Sequence, residues 1–250
     1  MQLKKPIIVA NWKMHKTRKG VEEFFAYLVP EVGDVKPQVW VAPSFTTLEW
    51  AAEKVQGTKV SAKVYVGAQN IYFEEKGAFT GEVSAEQVAD CGAKFVIIGH
   101  SERRRLFGET NEVVKKKIEL AVTHGLIPLV CVGETLEERK GNQTNAVLKK
   151  QLTEALDAHF EGVIAYEPVW AIGTGQSATP QMVEEAHETC KTILREVCRK
   201  GHDVPVLYGG SVTADNVHGL ARTKYVDGLL VGGASLEAQS FLAIIRGFAS

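Results

Sequence analysis

Eight times along 250 residues, a short run rich in β-branched and apolar side chains gives way to a longer stretch of helical period. The short runs fall at residues 6–10, 38–42, 59–67, 94–98, 127–132, 163–167, 204–208 and 227–231. The helical stretches lie at 17–28, 46–55, 85–91, 111–123, 145–160, 180–199, 213–221 and 238–248. Continuous apolar runs bounded by turn residues suit strands covered on both faces. Strands that alternate with helices pair in parallel, because a parallel neighbour needs a crossover connection. Eight such units either close into a barrel or spread as an open, doubly wound sheet. The open dinucleotide-binding form carries a GxGxxG turn after its first strand. Here that turn is Asn11-Trp12-Lys13-Met14, which favours closure. The length suits one (β/α)8 barrel, and no linker, charge block or low-complexity tract divides the chain. The expected fold is α/β, a single (β/α)8 barrel of eight parallel strands filling residues 1–250.

The charge balance narrows the function classes. With 24% charged residues and a formal net charge of -1, the chain has no electrostatic footprint for nucleic acid or an anionic membrane. No apolar run approaches the ~20 residues that span a bilayer, and the first residues lack a signal-peptide layout. Cys91, Cys131, Cys190 and Cys198 are scattered, without a CxxC pair or a histidine at metal spacing. They read as reduced thiols. The expectation from these totals is a cytoplasmic, enzyme-sized globule with no metal site and neither nucleic acid nor membrane as partner.

The polar residues of interest follow the strands, and in a parallel barrel those positions share the rim where active sites form. Glu167 ends an apolar run and precedes Pro168, an apolar loop and glycines, as a general base under a closing lid would; an ion-paired structural Glu fits equally well. His100 follows residues 95–98, and a helix starting at Ser101 and Glu102 would disfavour its imidazolium. A structural His in a charged turn is the other reading. Asn11 and Lys13 could bind an anion and polarise a carbonyl, although solvated lysines are common. Gly209-Gly210-Ser211 follows the seventh run and Gly232-Gly233 the eighth. Paired glycines there let backbone N–H groups approach a phosphate ester.

Five strings carry a resemblance over essentially the whole chain. They are Asn11-Trp12-Lys13-Met14, Gly99-His100-Ser101-Glu102-Arg103-Arg104, Ala165-Tyr166-Glu167-Pro168-Val169-Trp170-Ala171-Ile172-Gly173-Thr174-Gly175, Tyr208-Gly209-Gly210-Ser211-Val212 and Val231-Gly232-Gly233-Ala234-Ser235-Leu236. In this order they resemble the triosephosphate isomerase family. That resemblance implies interconversion of D-glyceraldehyde 3-phosphate and dihydroxyacetone phosphate through an enediolate, as in glycolysis and gluconeogenesis. Its pattern of tuned acid and base is a known worked case.

The resemblance also implies roles. Glu167 would be the base, neutral His100 the donor to the carbonyl oxygens, and Lys13 the positive charge beside the enediolate. Asn11 would position substrate, with Ser101 and Glu102 in support. Residues 168–174 would form the lid, Gly173 giving its N–H to the phosphate, with Ser211, Gly232 and Gly233 completing the cradle. Gly77-Ala78-Phe79-Thr80-Gly81-Glu82 resembles the loop that family members insert into a partner subunit, so a homodimer is implied, Phe79 and Thr80 reaching across. Cys131 resembles a structural rim cysteine. Two other readings compete: a different phosphosugar barrel such as a Schiff-base lyase, and a binding protein on a retained barrel. The first lacks a convincing rim lysine apart from Lys13, and the second would be expected to have lost Glu167, His100 or Lys13.

Overall fold

The computed structural model describes residues 2–172 and 178–249. Among them the strands are β1 (Ile7–Asn11), β2 (Gln38–Ala42), β3 (Val64–Val66), β4 (Phe95–Ile98), β5 (Ile127–Val132), β6 (Val163–Tyr166), β7 (Val206–Tyr208) and β8 (Gly228–Val231). The helices are α1 (Arg18–Glu31), α2 (Leu48–Val55), α3 (Ala85–Asp90), α4 (Ser101–Phe107), α5 (Asn111–Thr123), α6 (Leu136–Lys140), α7 (Thr144–Ala155), α8 (Pro180–Val197), α9 (Val217–Arg222) and α10 (Ala238–Ala249). The strands form one sheet in the order β3-β2-β1-β8-β7-β6-β5-β4, all parallel. Closure falls just past β3. Lys94 N donates to Val66 O, Ala68 N to Phe95 O and Ile97 N to Ala68 O, a parallel bridge that joins the two ends.

Alternation along each strand divides the apolar side chains into two cores. Ile7, Val9, Trp40, Phe95, Leu129 and Leu207 point into the barrel. Ile8, Ala10, Val39, Val41, Val96 and Val130 face the helices. Phe95 stacks on Trp40 at 4.6 Å inside the barrel. A Cβ on Gly67 would overlap the Phe95 ring and carbonyl, so Phe95 demands glycine just past the end of β3.

Several expected boundaries shift for local reasons. Residues 59–63, read as strand, form a turn closed by Ser61 N to Thr58 O and Lys63 N to Val60 O, so β-branched content misled there. The seventh strand starts at Val206, not 204, because Pro205 has no N–H to give the ladder. Asp157 Oδ1 accepts from His159 N, a local turn that follows the end of α7 at Ala155 instead of letting it run to 160. The helix expected over 213–221 starts at Val217, since Thr213 and Asn216 first exchange side chain–backbone bonds in a turn. Helix α6 was not expected; a Thr135/Glu138 capping box starts it. Helix α8 ends at Val197 with Cys198 as its C-cap, two residues short of the expected 199.

Candidate active site

Strand parity explains why a carboxylate is aimed inward. Val163 and Ala165 point into the barrel, and Glu167 continues that alternation one residue beyond β6. Its main chain is held on two sides. Glu167 N donates to Val132 O at 2.7 Å, and Gly209 N donates to Tyr166 O at 2.8 Å. A Cβ on Gly209 would stand 2.9 Å from Glu167 Cγ.

Glu167 is 1% exposed, and burying an ionised carboxylate costs several kcal/mol unless partners replace its water. Oε2 accepts from Ser101 N at 2.9 Å, at the start of α4. Oε1 lies 2.9 Å from His100 Nε2, but out of line for a good hydrogen bond, and it has no other partner among the described residues. Burial pushes the carboxyl pKa up. His100, the Ser101 amide and the Cys131 thiol together outweigh burial and hold it below the usual carboxylate range.

His100 caps α4, and its Nδ1 accepts from Glu102 N at 3.2 Å. A ring nitrogen that accepts carries no proton, so Nε2 bears the N–H of the neutral imidazole. Burial lowers the His100 pKa; the Glu167 carboxylate, and then Glu102, reverse that and leave it raised. The imidazole's charge is therefore governed by how close Glu167 stands. The same closeness lowers the pKa of the acid.

Lys13 adopts a left-handed backbone at φ 50°, uncommon for a side-chain-bearing residue. Local bonds account for it. Asn11 Oδ1 accepts from Lys13 N at 3.0 Å, while Gln69 Nε2 donates to Lys13 O at 2.8 Å and to Ala42 O at 2.9 Å. Lys13 Nζ pairs with Glu102 Oε1 at 2.6 Å. Both side chains are partly exposed, so the pair adds at most about 1 kcal/mol. Its consequence is a fixed position for a positive charge.

A cavity of about 300 Å³ is lined by Asn11, Lys13, His100 and Glu167, by Ser211, Gly232 and Gly233, and by Ile172 of the loop after β6. Gly233 opens a short 3-10 helix (Gly233–Ser235), so free N–H groups lie in this wall. The glycines differ in what requires them. A Cβ on Gly210 would overlap the Tyr208 hydroxyl, a packing demand like that at Gly209. A Cβ on Gly233 would meet nothing within 4 Å. Gly233 is thus free of packing constraint on its open side.

Most sequence-predicted site residues meet here. Ser101 and Glu102 support the cavity from behind through Glu167 and Lys13. Phe79 and Thr80 lie exposed on a separate loop, Phe79 packing on Tyr72 at 4.8 Å. Gly173 and the glycine end of the expected lid lie outside the described residues. Two contributors were missed. Gln69 holds the Lys13 carbonyl from the loop after β3. Glu134, wholly buried, accepts from Tyr166 Oη and Trp170 Nε1, both at 3.1 Å, and so ties down the first part of the loop after Glu167. A carboxylate two residues past a buried strand was the available signal for Glu134.

The triosephosphate isomerase family matches residues 6–248. A triosephosphate isomerase of Bdellovibrio bacteriovorus is 47% identical over 96% of this chain and 98% of its own. One of Geotalea uraniireducens is 44% identical over 98% and 99%. The crystal structure of triosephosphate isomerase from Bartonella henselae superposes with a TM-score of 0.89 at 35% identity, covering 98% of this chain and all of that one. A barrel whose rim holds a buried carboxylate against a capped imidazole, matched along its full length in this way, belongs to the triosephosphate isomerase family and interconverts its two triose phosphates.

Proposed function

We propose that Glu167 is the base that moves the proton between the two substrate carbons, with His100 as neutral donor and Lys13 as electrostatic partner. The observation that supports this reading best is the pairing of Glu167 with His100 Nε2 at 2.9 Å on the wall of one cavity. In the resting arrangement the carboxylate is ionised but weakly basic, because Ser101 N and His100 stabilise the anion. Moving toward substrate would break those contacts and raise its basicity. It would also leave His100 under its Nδ1 bond alone, which favours the neutral ring. Lys13 Nζ and the His100 N–H would then face the enediolate oxygens, supplying the charge stabilisation without a metal or cofactor.

Asn11 would help set the substrate, and the N–H groups around Ser211, Gly232 and Gly233 would take the phosphate, joined by Gly173 when residues 168–174 close. The substrate is a small phosphorylated triose, and we assign the reaction to one catalytic domain in the cytoplasm. Among the described residues no helix is long and apolar enough to cross a membrane. The same reading makes the enzyme a homodimer through the loop bearing Phe79 and Thr80. Met14 (94% exposed), Phe45 (40%) and Phe79 (39%) leave apolar surface for a second copy to cover.

Glu167→Asp is the direct test. Withdrawing the carboxylate by one methylene should lower kcat about 10²-fold while substrate binding and thermal stability change little. Near-normal turnover in the pure variant would remove Glu167 from the role of base.

A further inference from the structure

Glu167 owes its place to its main chain, and one side of that main chain rests on Gly133. A Cβ on Gly133 would overlap the carbonyl oxygen of Glu167, so the two backbones are in direct contact. Gly133 lies one residue beyond the last ladder pair between β5 and β6, Val132 with Tyr166. Its peptide groups therefore need partners from outside the sheet. Gln151 of α7 supplies both. Its Oε1 accepts from Gly133 N at 2.8 Å and its Nε2 donates to Gly133 O at 3.1 Å. A side-chain amide thus stands in for one more rung of β-ladder.

Space beside this rung makes the grip matter. A cavity of about 280 Å³ is lined by Gly133, Gln151, Glu167, Val169 and Cys131. Close packing does not fill that side, so directional bonds must hold the peptide.

We propose that Gln151 is a positioning residue for the base: by gripping both peptide groups of Gly133, its amide fixes the surface on which Glu167 is set. The inference rests on Glu167 being the base. The Glu167 carboxylate hangs from that main chain, so freedom at Gly133 becomes freedom in the placement of the carboxylate. Gln151 touches neither substrate nor Glu167's carboxylate, and its loss should leave substrate binding nearly intact.

The experiment compares Gln151→Leu, Gln151→Glu and Glu167→Gln with the parent enzyme, scoring kcat per folded chain. Gln151→Leu keeps the bulk and removes both bonds. It should lower kcat about tenfold, given how steeply rate depends on the placement of catalytic groups, with KM within about twofold. Gln151→Glu keeps the acceptor but sets an anionic oxygen against Gly133 O. Protonation restores a donor, so its kcat relative to the parent should recover below about pH 6, the pKa being raised by the facing carbonyl. A merely structural glutamine would give no such recovery. Parental kcat in Gln151→Leu, or a Gln151→Glu deficit unchanged at low pH, overturns the proposal. Glu167→Gln separates the two ideas. If it stays active, the base assignment fails; if it is inactive while Gln151→Leu is unimpaired, only the role of Gln151 fails.

Discussion

Glu167 and His187 are both almost wholly buried in this barrel and meet opposite fates. Glu167 keeps its charge because an amide and an imidazole replace the water it lost. His187 on α8 gives up its charge. Its Nδ1 lies 3.1 Å from Tyr225 O, its Nε2 has no partner among the described residues, and burial lowers its pKa to about 4. The folded protein therefore refuses a proton that the unfolded chain takes up near pH 6.5. Stability from this group is full above that value and is lost as pH falls toward 4. Over that window the loss should reach about 3 kcal/mol. Denaturant midpoints for the parent and His187→Gln, taken between pH 7 and 4.5, check this. The variant should have a lower midpoint at neutral pH but a flatter slope, and equal slopes would acquit His187.

At the scale of elements, the rim works because strands end in register and short devices take over where the ladder stops. Gly133, Gly209 and Gly67 are places where one backbone or ring lies directly on another. Gly67 is the cleanest test, since it lies in the β3–β4 closure and away from the catalytic groups. Gly67→Ala would drive a methyl into the ring and the carbonyl of Phe95, whose ring already packs on Trp40. Overpacking of this kind costs about 1–3 kcal/mol. The midpoint of unfolding should fall accordingly, with kcat per folded chain nearly unchanged. An unaltered midpoint would mean that the closing strands yield more readily than their packing suggests.

For the whole molecule the question is what covers Met14, Phe45 and Phe79. Lys13 and Met14 are adjacent, and Gln69 ties the Lys13 carbonyl to the stretch that leads into the Phe79 loop. A second copy seated there would thus press on the same turn that fixes Lys13. The protein should sediment at twice its chain mass at micromolar concentration. Phe79→Asp should shift it toward monomer, with a larger fall in kcat than in the stability of each barrel. A parent protein that sediments cleanly as a monomer would defeat the assignment.

By itself the sequence determined the parallel strand–helix alternation, because eight largely apolar runs demand cover on both faces, and the lack of a GxGxxG turn after the first favoured closing them into a barrel. It also marked Glu167, His100 and Lys13 by position, since residues after parallel strands share one rim, and the family resemblance gave them roles. Only the tertiary structure decided how those groups are held. Gln69 at the Lys13 carbonyl, Glu134 under Trp170 and Gln151 on Gly133 act through bonds across 18 to 56 positions in sequence. No local period or spacing records such a bond. The ends of strands and helices were blurred for the related reason that a single N–H missing at a proline, an Asp157 turn or a Thr213–Asn216 exchange outweighs propensity summed over many residues. Patterns of burial are written along the chain, whereas the partners of individual polar atoms exist only after the chain has closed.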